Sequence, residues 1–336
     1  MDRILVTGGA GFIGANFVQS SVRRLPHQRI TVLDALTYAG DRRNLSPVAD
    51  DIEFVEGDVA DPELVDRLVK QSDTVVHFAA ESHVDNSIGD PAPFIRTNVV
   101  GTFNLLEAVR RYDVRLHHIS TDEVFGALSL DTDTRFTEET RYDPSSPYSA
   151  TKASSDHLVR AWTRSYGIAA TISNCANNYG PYQHVEKLIP RHITSVLTGI
   201  RPKVYGAGAN VREWTHVDDH NAAVQLILQN GRLGDTYLIG SGQERSNKQV
   251  TETILRLLHQ PPDAYDLVPD RPGHDLRYAT NSHKLRTDLG WTPQYDDFES
   301  GLANTITWYR ENRSWWQTAK LTTEARYAAN PPPANS

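Results

Sequence analysis

Cysteine and long apolar runs are almost absent from this chain of 336 residues. Cys175 is the only cysteine, which excludes an intrachain disulfide and any metal site built from several thiolates. No stretch approaches the roughly 18 consecutive apolar residues that a membrane-spanning helix needs. The first apolar residues, 4–6, are not preceded by the basic segment that begins a secretory signal. These absences predict a cytoplasmic protein without a membrane partner.

Negative charges outnumber positive ones in this chain. It has 34 Lys and Arg residues and 42 Asp and Glu residues, which give a net charge of −8. Nucleic-acid binding favours a broad basic face, so we expect no nucleic-acid partner. An anionic ligand would have to bind through local Arg and Lys side chains and helix N-termini, rather than through the overall field. The length exceeds that of one usual core and predicts one large domain with a smaller lobe.

Short β-rich runs alternate with amphipathic helical runs in the first half of the chain. Such alternation predicts βαβ units and an α/β fold, in which a Rossmann-type, doubly wound parallel sheet has helices on both faces. The serine and proline at 145–147 predict a capped start for the last long helix of this half. The predicted strands are residues 3–7, 29–34, 53–57, 74–79, 116–120 and 169–174, and the predicted helices are residues 12–24, 64–71, 97–112 and 148–166.

The pattern loosens after about residue 177, where Pro, Gly, Asn and aromatic residues become frequent. This composition predicts a ligand-binding α/β lobe, while runs 217–229 and 236–241 return to the main sheet. We therefore predict a main domain of residues 1–179 with about 216–244, and a smaller substrate lobe of about 180–215 and 245–325. The proline-rich tail 329–336 has nothing to bury and is expected to be disordered.

A glycine motif lies directly after the first predicted strand and opens a helix. Gly8, Gly11 and Gly14 are spaced for a tight turn, for close approach of a pyrophosphate to backbone N–H groups, and for helix–strand packing. Asp34 ends the second strand, where a carboxylate accepts ribose hydroxyls and repels a 2′-phosphate, which favours NAD over NADP. Asp58 ends the third strand and is placed to meet the adenine. A glycine turn without a ligand is the weaker alternative in this context.

Tyr148 and Lys152 lie four residues apart on a predicted helix and therefore share one face. A nearby ammonium favours the phenolate, so we expect Lys152 to lower the pKa of Tyr148 from about 10. Lys152 is also suited to hold the nicotinamide ribose. A Tyr-x-x-x-Lys pattern alone is common, but here it follows a dinucleotide-binding motif.

These motifs, together with Ser120 two residues before Asp122, resemble the extended short-chain dehydrogenases that act on nucleotide sugars. In most of that superfamily the tyrosine removes a sugar hydroxyl proton while hydride passes to NAD. The resemblance implies NAD as the cofactor. The residues it implies for cofactor binding are Gly8, Gly11, Phe12, Ile13, Gly14, Asp34, Thr37, Asp58, Val59, Ala79, Ala80, Ser82, Thr97, Tyr148, Lys152 and Asn178.

Thr121, Asp122 and Glu123 follow a strand at the carboxyl edge of the predicted sheet, where ligands bind. On a regular strand the two carboxylates would point to opposite faces, but at a strand end both can reach one cleft. By itself an acidic pair of this kind is more often a solvated turn. The triplet resembles the signature of dTDP-glucose 4,6-dehydratases, which implies dTDP-glucose as the substrate.

Dehydration across C5 and C6 of glucose needs a base for the C5 proton and an acid for the C6 hydroxyl, once C4 is a ketone. The resemblance implies Tyr148 as the base for C4 oxidation, Asp122 as the acid, Glu123 as the base of the elimination, and Thr121 as a donor to the C4 oxygen. Lys152 completes the catalytic set. Neighbouring carboxylates split their pKa values, but the sequence does not tell which one keeps its proton.

Several later segments resemble the nucleotide-sugar-binding segments of the same family. Arg212 and Arg271 have forked donors suited to a pyrophosphate, and Lys203 and Tyr205 would frame the thymine. Each residue alone is more often ordinary surface or core. The residues implied for substrate binding are Ser82, Thr121, Asn177, Lys187, Leu188, Lys203, Tyr205, Arg212, Asn247, Arg271 and His274.

Two residues depart from the family pattern beside the predicted site. Phe125 stands where these enzymes usually have Tyr, and Ala176 where Ser is usual. Neither replaces a catalytic group. The sequence gives no reason for a metal, since His117 and His118 are expected to be satisfied strand histidines and Cys175 a buried small hydrophobe.

The resemblance also implies a homodimer, in which helices 97–112 and 148–166 of two chains form a four-helix bundle. The first of these helices has an apolar face consistent with that arrangement, although the face could equally pack on its own sheet. The residues of this face are Val99, Phe103, Leu106 and Val109.

Two other functions are compatible with parts of the pattern. Another NAD-dependent nucleotide-sugar dehydratase or a 4-epimerase would share the scaffold but differ at residues 121–123 and in the residues that recognise the base. A non-catalytic NAD(H)-sensing protein would have no physical need for Tyr148, Lys152, Asp122 and Glu123 together.

Overall fold

Strands and helices alternate along the computed structural model, which describes residues 2–270 and 274–329. The strands of these ranges are β1 Arg3–Thr7, β2 Arg29–Asp34, β3 Ile52–Glu56, β4 Thr74–His77, β5 Arg115–Thr121, β6 Ala170–Cys175, β7 Asn177–Tyr179, β8 Lys203–Tyr205, β9 Val211–His216, β10 Thr236–Ile239, β11 Glu244–Ser246 and β12 Asp266–Val268. The α-helices are α1 Phe12–Arg24, α2 Pro62–Val69, α3 Val84–Gly89, α4 Ala92–Phe94, α5 Thr102–Tyr112, α6 Pro147–Tyr166, α7 Leu188–Leu197, α8 Val217–Asn230, α9 Asn247–Leu257, α10 His283–Leu289, α11 Phe298–Glu311 and α12 Arg313–Ala329.

The main sheet has seven strands in the order β3-β2-β1-β4-β5-β6-β10, and every neighbouring pair is parallel. The predicted Rossmann-type, doubly wound sheet is therefore confirmed. Parallel strands place all their carboxyl ends at one edge. The winding direction reverses between β1 and β4, and ligands bind outside the carboxyl ends at such a switch point.

Both faces of the main sheet are covered, as expected for strands with almost continuous apolar sequence. On one face, apolar residues of α1 and α8 pack with β1 and β2. On the other face, α2, α5 and α6 pack with β1, β4 and β5. Leu285 of α10 and the nearby Trp291 join the first of these cores, although the sequence placed them in the substrate lobe.

Two smaller sheets lie outside the main one. One has the order β11-β9-β7 and the other pairs β12 with β8. A separate apolar core joins α7, α9, α11 and α12 with Tyr179 and Trp214. Residues 177–179 thus pair with β9 and not with the main sheet. The division of the chain into two lobes remains a prediction.

Helix α6 begins where the sequence predicts, because Ser146 caps it in a reciprocal pair with Ser149 and Pro147 is its first residue. The helix predicted at 97–112 is less regular, since a π-helical segment, Ile95–Gly101, separates α4 from α5. Ala329, predicted to begin a disordered tail, is the last residue of α12. The rest of that predicted tail, 330–336, lies outside the described residues.

The apolar face predicted for the helix at 97–112 is divided in the structure. Leu106 and Val109 are buried in the core against the main sheet. Phe103 is 43% exposed and contacts Trp162 of α6 edge to face. Across the described ranges, no helix combines the length and the apolar character that crossing a bilayer requires.

Candidate active site

A cleft opens at the carboxyl edge of the main sheet and extends toward the smaller sheets. Its floor is formed by residues that follow β1, β2, β3, β4, β5 and β6, as the sheet topology requires. Every residue predicted for cofactor binding lines this cleft: Gly8, Gly11, Phe12, Ile13, Gly14, Asp34, Thr37, Asp58, Val59, Ala79, Ala80, Ser82, Thr97, Tyr148, Lys152 and Asn178.

The three glycines of the β1–α1 turn differ in how much space a side chain would have at each position. Gly8 has a φ of +70°, and a Cβ there would lie 2.5 Å from the backbone nitrogen of Ala79. A Cβ at Gly14 would lie 2.3 Å from the carbonyl oxygen of Gly8. At Gly11 the only close atom is that same oxygen, at 3.3 Å. The fold itself therefore requires Gly8 and Gly14, whereas Gly11 leaves open space on the cleft side.

The N-terminus of α1 points its backbone donors at this space. Gly11 is the N-cap and provides no side-chain acceptor, so the first N–H groups of the helix are available to a ligand. Asp34 stabilises the turn, because its two carboxylate oxygens accept hydrogen bonds from the backbone N–H groups of Ala10 and Leu36, each at 2.9 Å. Burial raises the pKa of Asp34. An uncapped helix start beside a carboxylate at the end of β2 fits the pyrophosphate and ribose of a dinucleotide.

Tyr148 and Lys152 lie on α6 at the base of the cleft, and both are buried. The ammonium of Lys152 donates a hydrogen bond of 2.7 Å to the carbonyl of Ile119 on β5. Burial lowers the pKa of Lys152 to about 8. The pKa of Tyr148 does not lie below about 10 as expected, because burial and then the charge of Glu123 raise it well above its ordinary value.

The acidic pair occupies a 3₁₀ turn, Asp122–Phe125, which Thr121 caps by accepting a hydrogen bond of 3.3 Å from the backbone N–H of Glu123. Consecutive side chains of such a turn point about a third of a revolution apart. Thr121 and Glu123 line the cleft, whereas Asp122 is 1% exposed and does not. The expectation that both carboxylates reach one open cleft is therefore corrected for Asp122.

Asp122 lies in surroundings that favour its protonated form. Burial raises its pKa well above the ordinary value, the charges of Glu123 and Glu213 raise it further, and Arg212 opposes them. Its Oδ2 atom has no hydrogen-bond partner among the described residues. The surroundings of Asp122 thus favour its protonated form, whereas the sequence did not indicate which carboxyl group would be affected in this way.

The residues predicted for substrate binding fall into two groups. Ser82, Thr121, Asn177 and Lys187 line the cleft, and Lys187 donates a hydrogen bond of 3.0 Å to the carbonyl of Ser82. The others lie in the region of the smaller sheets, outside the cleft lining, and Arg271 lies outside the described residues. The residues of this second group are Leu188, Lys203, Tyr205, Arg212, Asn247 and His274.

Within the second group, Arg212 is buried and stacks on the ring of Tyr278 at 4.2 Å. Its guanidinium donates to the carbonyl of Asp275 at 3.0 Å. Tyr205 and His274 contact each other edge to face, with ring centroids 6.4 Å apart. The Oδ1 atom of the buried Asn247 has no hydrogen-bond partner among the described residues.

Sequence reasoning missed several residues that line the cleft: Tyr38, Glu81, Cys175, Gln183 and His184. Cys175 and Glu81 could have been found, because they stand at or shortly after the carboxyl ends of β6 and β4. Tyr38, Gln183 and His184 lie on irregular segments whose course the local pattern does not indicate. Cys175 is buried, as predicted, but it is also part of the site.

The two departures from the family pattern lie where the sequence placed them, beside the site. Phe125 stacks on Phe136 with ring centroids 5.0 Å apart and meets Tyr142 edge to face. Ala176 is 2% exposed and lines the cleft. Ala176 therefore contacts the site, Phe125 lies in the same turn as Asp122 and Glu123, and neither supplies a titratable group.

Comparison with known proteins agrees with this geometry. The family model for GDP-mannose 4,6 dehydratase matches residues 5–305. A dTDP-glucose 4,6-dehydratase of Mycobacterium tuberculosis (strain ATCC 25618 / H37Rv) is 66% identical over 325 residues, covering 97% of this chain and 98% of the relative.

Two solved structures have the same fold. DesIV, a dTDP-glucose 4,6-dehydratase from Streptomyces venezuelae with NAD and TYD bound, has a TM-score of 0.90 at 47% identity, covering 94% of this chain and 99% of that one. The complex of Thermus thermophilus UDP-glucose 4-epimerase with NAD has a TM-score of 0.84 at 30% identity, covering 92% and 99%.

Proposed function

The chain belongs to the dTDP-glucose 4,6-dehydratase family, and on this premise we propose how its residues divide the reaction. It is an NAD-dependent hydro-lyase that converts dTDP-glucose into dTDP-4-dehydro-6-deoxyglucose and water. The observation that best supports dehydration is the turn after β5, where Asp122, buried and with a raised pKa, adjoins Glu123 at the cleft. The predicted identity and cofactor are thereby confirmed by the comparisons.

The cofactor is held by the β1–α1 turn and by the carboxyl ends of the neighbouring strands. Backbone N–H groups after Gly11 would bind the pyrophosphate, Asp34 would accept hydrogen bonds from the adenosine ribose hydroxyls, and Lys152 would donate to the nicotinamide ribose. When bound, NAD supplies a hydride acceptor for C4, a positive charge beside Tyr148, and the hydride that is returned to C6.

The first chemical task of the protein is to remove the proton from the C4 hydroxyl. Tyr148 accepts this proton, and Thr121 donates a hydrogen bond to the C4 oxygen, while its own contact with the phenol opposes the high pKa of Tyr148. Since burial alone makes the phenolate costly, Lys152 must remain cationic for this step.

The second task is elimination of water. Glu123, at the cleft, removes the C5 proton that the C4 ketone has made acidic. Asp122 gives its proton to the departing C6 hydroxyl, which requires its side chain to turn toward the cleft from the buried position described above. Its raised pKa suits it to this role. Arg212, beside Asp122, together with Lys187 and the remaining predicted substrate residues, holds the nucleotide and the sugar.

The test is incubation of the purified protein with dTDP-, UDP-, CDP- and GDP-hexoses without added NAD, followed by detection of a 4-keto-6-deoxy sugar. We expect turnover of dTDP-glucose with solvent deuterium entering at C5. A mere change of configuration at C4 would identify an epimerase instead, and NADH binding without any turnover would identify a sensor.

We propose further that the chain forms a homodimer through α5 and α6. The support is an apolar surface patch on these two helices, in which Phe103 and Tyr166 are exposed and Trp162 lies between them. A single exposed apolar side chain does not indicate an interface. Adjoining aromatic rings on two helices form a continuous apolar patch, which can pack against the same patch of a second copy of the chain. A cytoplasmic location is also proposed, and cell fractionation would test it.

A further inference from the structure

Asp156 is a fully buried carboxylate on α6 with no role in the reaction described above. It follows Lys152 by four residues, so both side chains lie on the same side of the helix. Its Oδ2 atom accepts three hydrogen bonds, from Ser120 Oγ at 2.9 Å, Asn174 Nδ2 at 2.9 Å and Tyr142 Oη at 2.7 Å. Three donors at one oxygen favour the ionised form of this carboxylate, since hydrogen bonds to a charged acceptor are the stronger ones.

These contacts tie α6 to the strand end that carries the acidic pair. Asn174 also donates a hydrogen bond of 3.1 Å to the carbonyl of Thr121. Lys152 donates to the carbonyl of Ile119, and Ser120 donates to Asp156 itself. Of the three residues directly before Asp122, Ile119 and Ser120 are held by α6 itself, and Thr121 is held by Asn174 of β6, which also donates to Asp156.

Among the described residues, Asp156 provides the negative charge that supports the cationic form of Lys152. The titratable groups whose charge couples to Lys152 are His77 on β4, His118 on β5, Cys175 on β6 and Asp156 on α6. Burial keeps both histidines neutral by lowering their pKa values, and it raises the pKa of the Cys175 thiol to about 12. The negative charge that faces the buried ammonium is therefore that of Asp156.

Asp156 is ionised in these surroundings. Burial alone would raise its pKa, but the surrounding groups, including the charge of Lys152 and the hydrogen bond from Asn174, lower it below the ordinary value. The Nε2 atom of His118 lies 3.2 Å from Asp156 Oδ1, although neither ring nitrogen of His118 has an aligned hydrogen bond to a described residue. His118 is thus not the fully satisfied strand histidine that the sequence suggests.

We propose that Asp156 is a positioning residue, whose buried charge fixes α6 against the end of β5 and keeps Lys152 cationic for cofactor binding and catalysis. The inference rests on the proposed function of Lys152. Asp156 does not touch the cleft and acts only through Lys152 and the residues at the end of β5.

The test compares Asp156→Asn with Tyr142→Phe, which removes one hydrogen bond to Asp156 but leaves its charge. NADH affinity is measured by fluorescence from neutral to alkaline pH, and kcat for dTDP-glucose is measured over the same range. Lys152, with a pKa near 8, loses its proton as pH rises, so affinity and kcat should fall through that pKa. We call this fall in NADH affinity and kcat with rising pH the alkaline limb. In Asp156→Asn the alkaline limb should move to lower pH by at least about one unit, because an anion one helical turn from Lys152 is lost. Tyr142→Phe should leave the limb in place.

A limb that stays in place in a folded Asp156→Asn protein, or that moves equally in both variants, would overturn the proposal in favour of a merely structural role. Asp156→Glu provides a second arm if the Asn variant does not fold, because it retains the charge but displaces it. This variant should keep the alkaline limb and lose at least about tenfold in kcat, and full activity would contradict positioning. NADH binding does not depend on dehydration, so a wild-type chain that binds NADH but leaves dTDP-glucose intact would refute the function and not this inference.

Discussion

Thr121, Asp122 and Glu123 are consecutive in the chain, yet each occupies different surroundings. The tight 3₁₀ turn sends Glu123 toward the cleft and Asp122 into the protein, where burial and two neighbouring carboxylates raise its pKa. Position in the turn therefore distinguishes an acid from a base between two side chains of almost equal intrinsic pKa.

Substitutions at this pair should separate the two halves of the elimination. In Glu123→Gln, C4 oxidation should persist, while exchange of the C5 proton with solvent and loss of water both slow by at least ~10²-fold, the usual worth of a general base. In Asp122→Asn, C5 exchange should continue while loss of water slows by a similar factor. Deuterium incorporation at C5 and formation of the 4-keto-6-deoxy sugar are the two measurements.

Single-turnover absorbance of NADH is the control for these variants, because both should still reduce the bound cofactor. If Asp122→Asn lost C5 exchange while Glu123→Gln kept it, the two roles would have to be interchanged.

At the scale of elements, the β1–α1 turn combines two glycines that the fold requires with one that it tolerates losing. Gly14→Ala should lower the free energy of unfolding by roughly 1–3 kcal/mol, because its Cβ would overlap the carbonyl oxygen of Gly8. Gly11→Ala should cost less than about 1 kcal/mol, since it only adds Ala at an N-cap. It should nevertheless weaken NADH binding by at least ~10-fold, as expected when a charged hydrogen bond is displaced.

Urea unfolding of the cofactor-free protein and NADH titration are the paired measurements for these two glycines. Unchanged NADH affinity in Gly11→Ala would mean that the pyrophosphate does not approach this residue closely. Equal destabilisation by both substitutions would mean that the turn relaxes differently from the structure described here.

Elements whose ends carry a local chemical signal could be predicted from the sequence. Ser146 and Pro147 mark the start of α6, and the strand pattern places Asp34 and Thr121 at sheet ends. The π-helical segment Ile95–Gly101 could not be predicted, because the register of its backbone depends on packing against α6 and not on local propensity.

At the scale of the whole molecule, the sequence predicts which residues meet at the carboxyl edge but not how burial changes their chemistry. All cofactor residues line the cleft because the sheet topology brings strand ends together whatever their separation in sequence. The raised pKa values of Tyr148 and Asp122 and the lowered pKa of the buried Asp156 depend on burial and on contacts between distant elements. No local pattern contains that information.

The apolar patch on α5 and α6 makes a prediction about assembly. Phe103, 43% exposed and in contact with Trp162, would lie at the centre of a two-fold interface, where a charge is strongly unfavourable. The wild-type chain should have twice the 37.6 kDa mass of one chain in light scattering, and Phe103→Glu should shift it toward the monomer. Leu321→Glu is the matched control, because Leu321 is 67% exposed on α12, far along the chain from the patch, and should leave the mass unchanged. A wild-type monomer, or a dimer that Phe103→Glu leaves intact, would show that α5 and α6 do not form the interface.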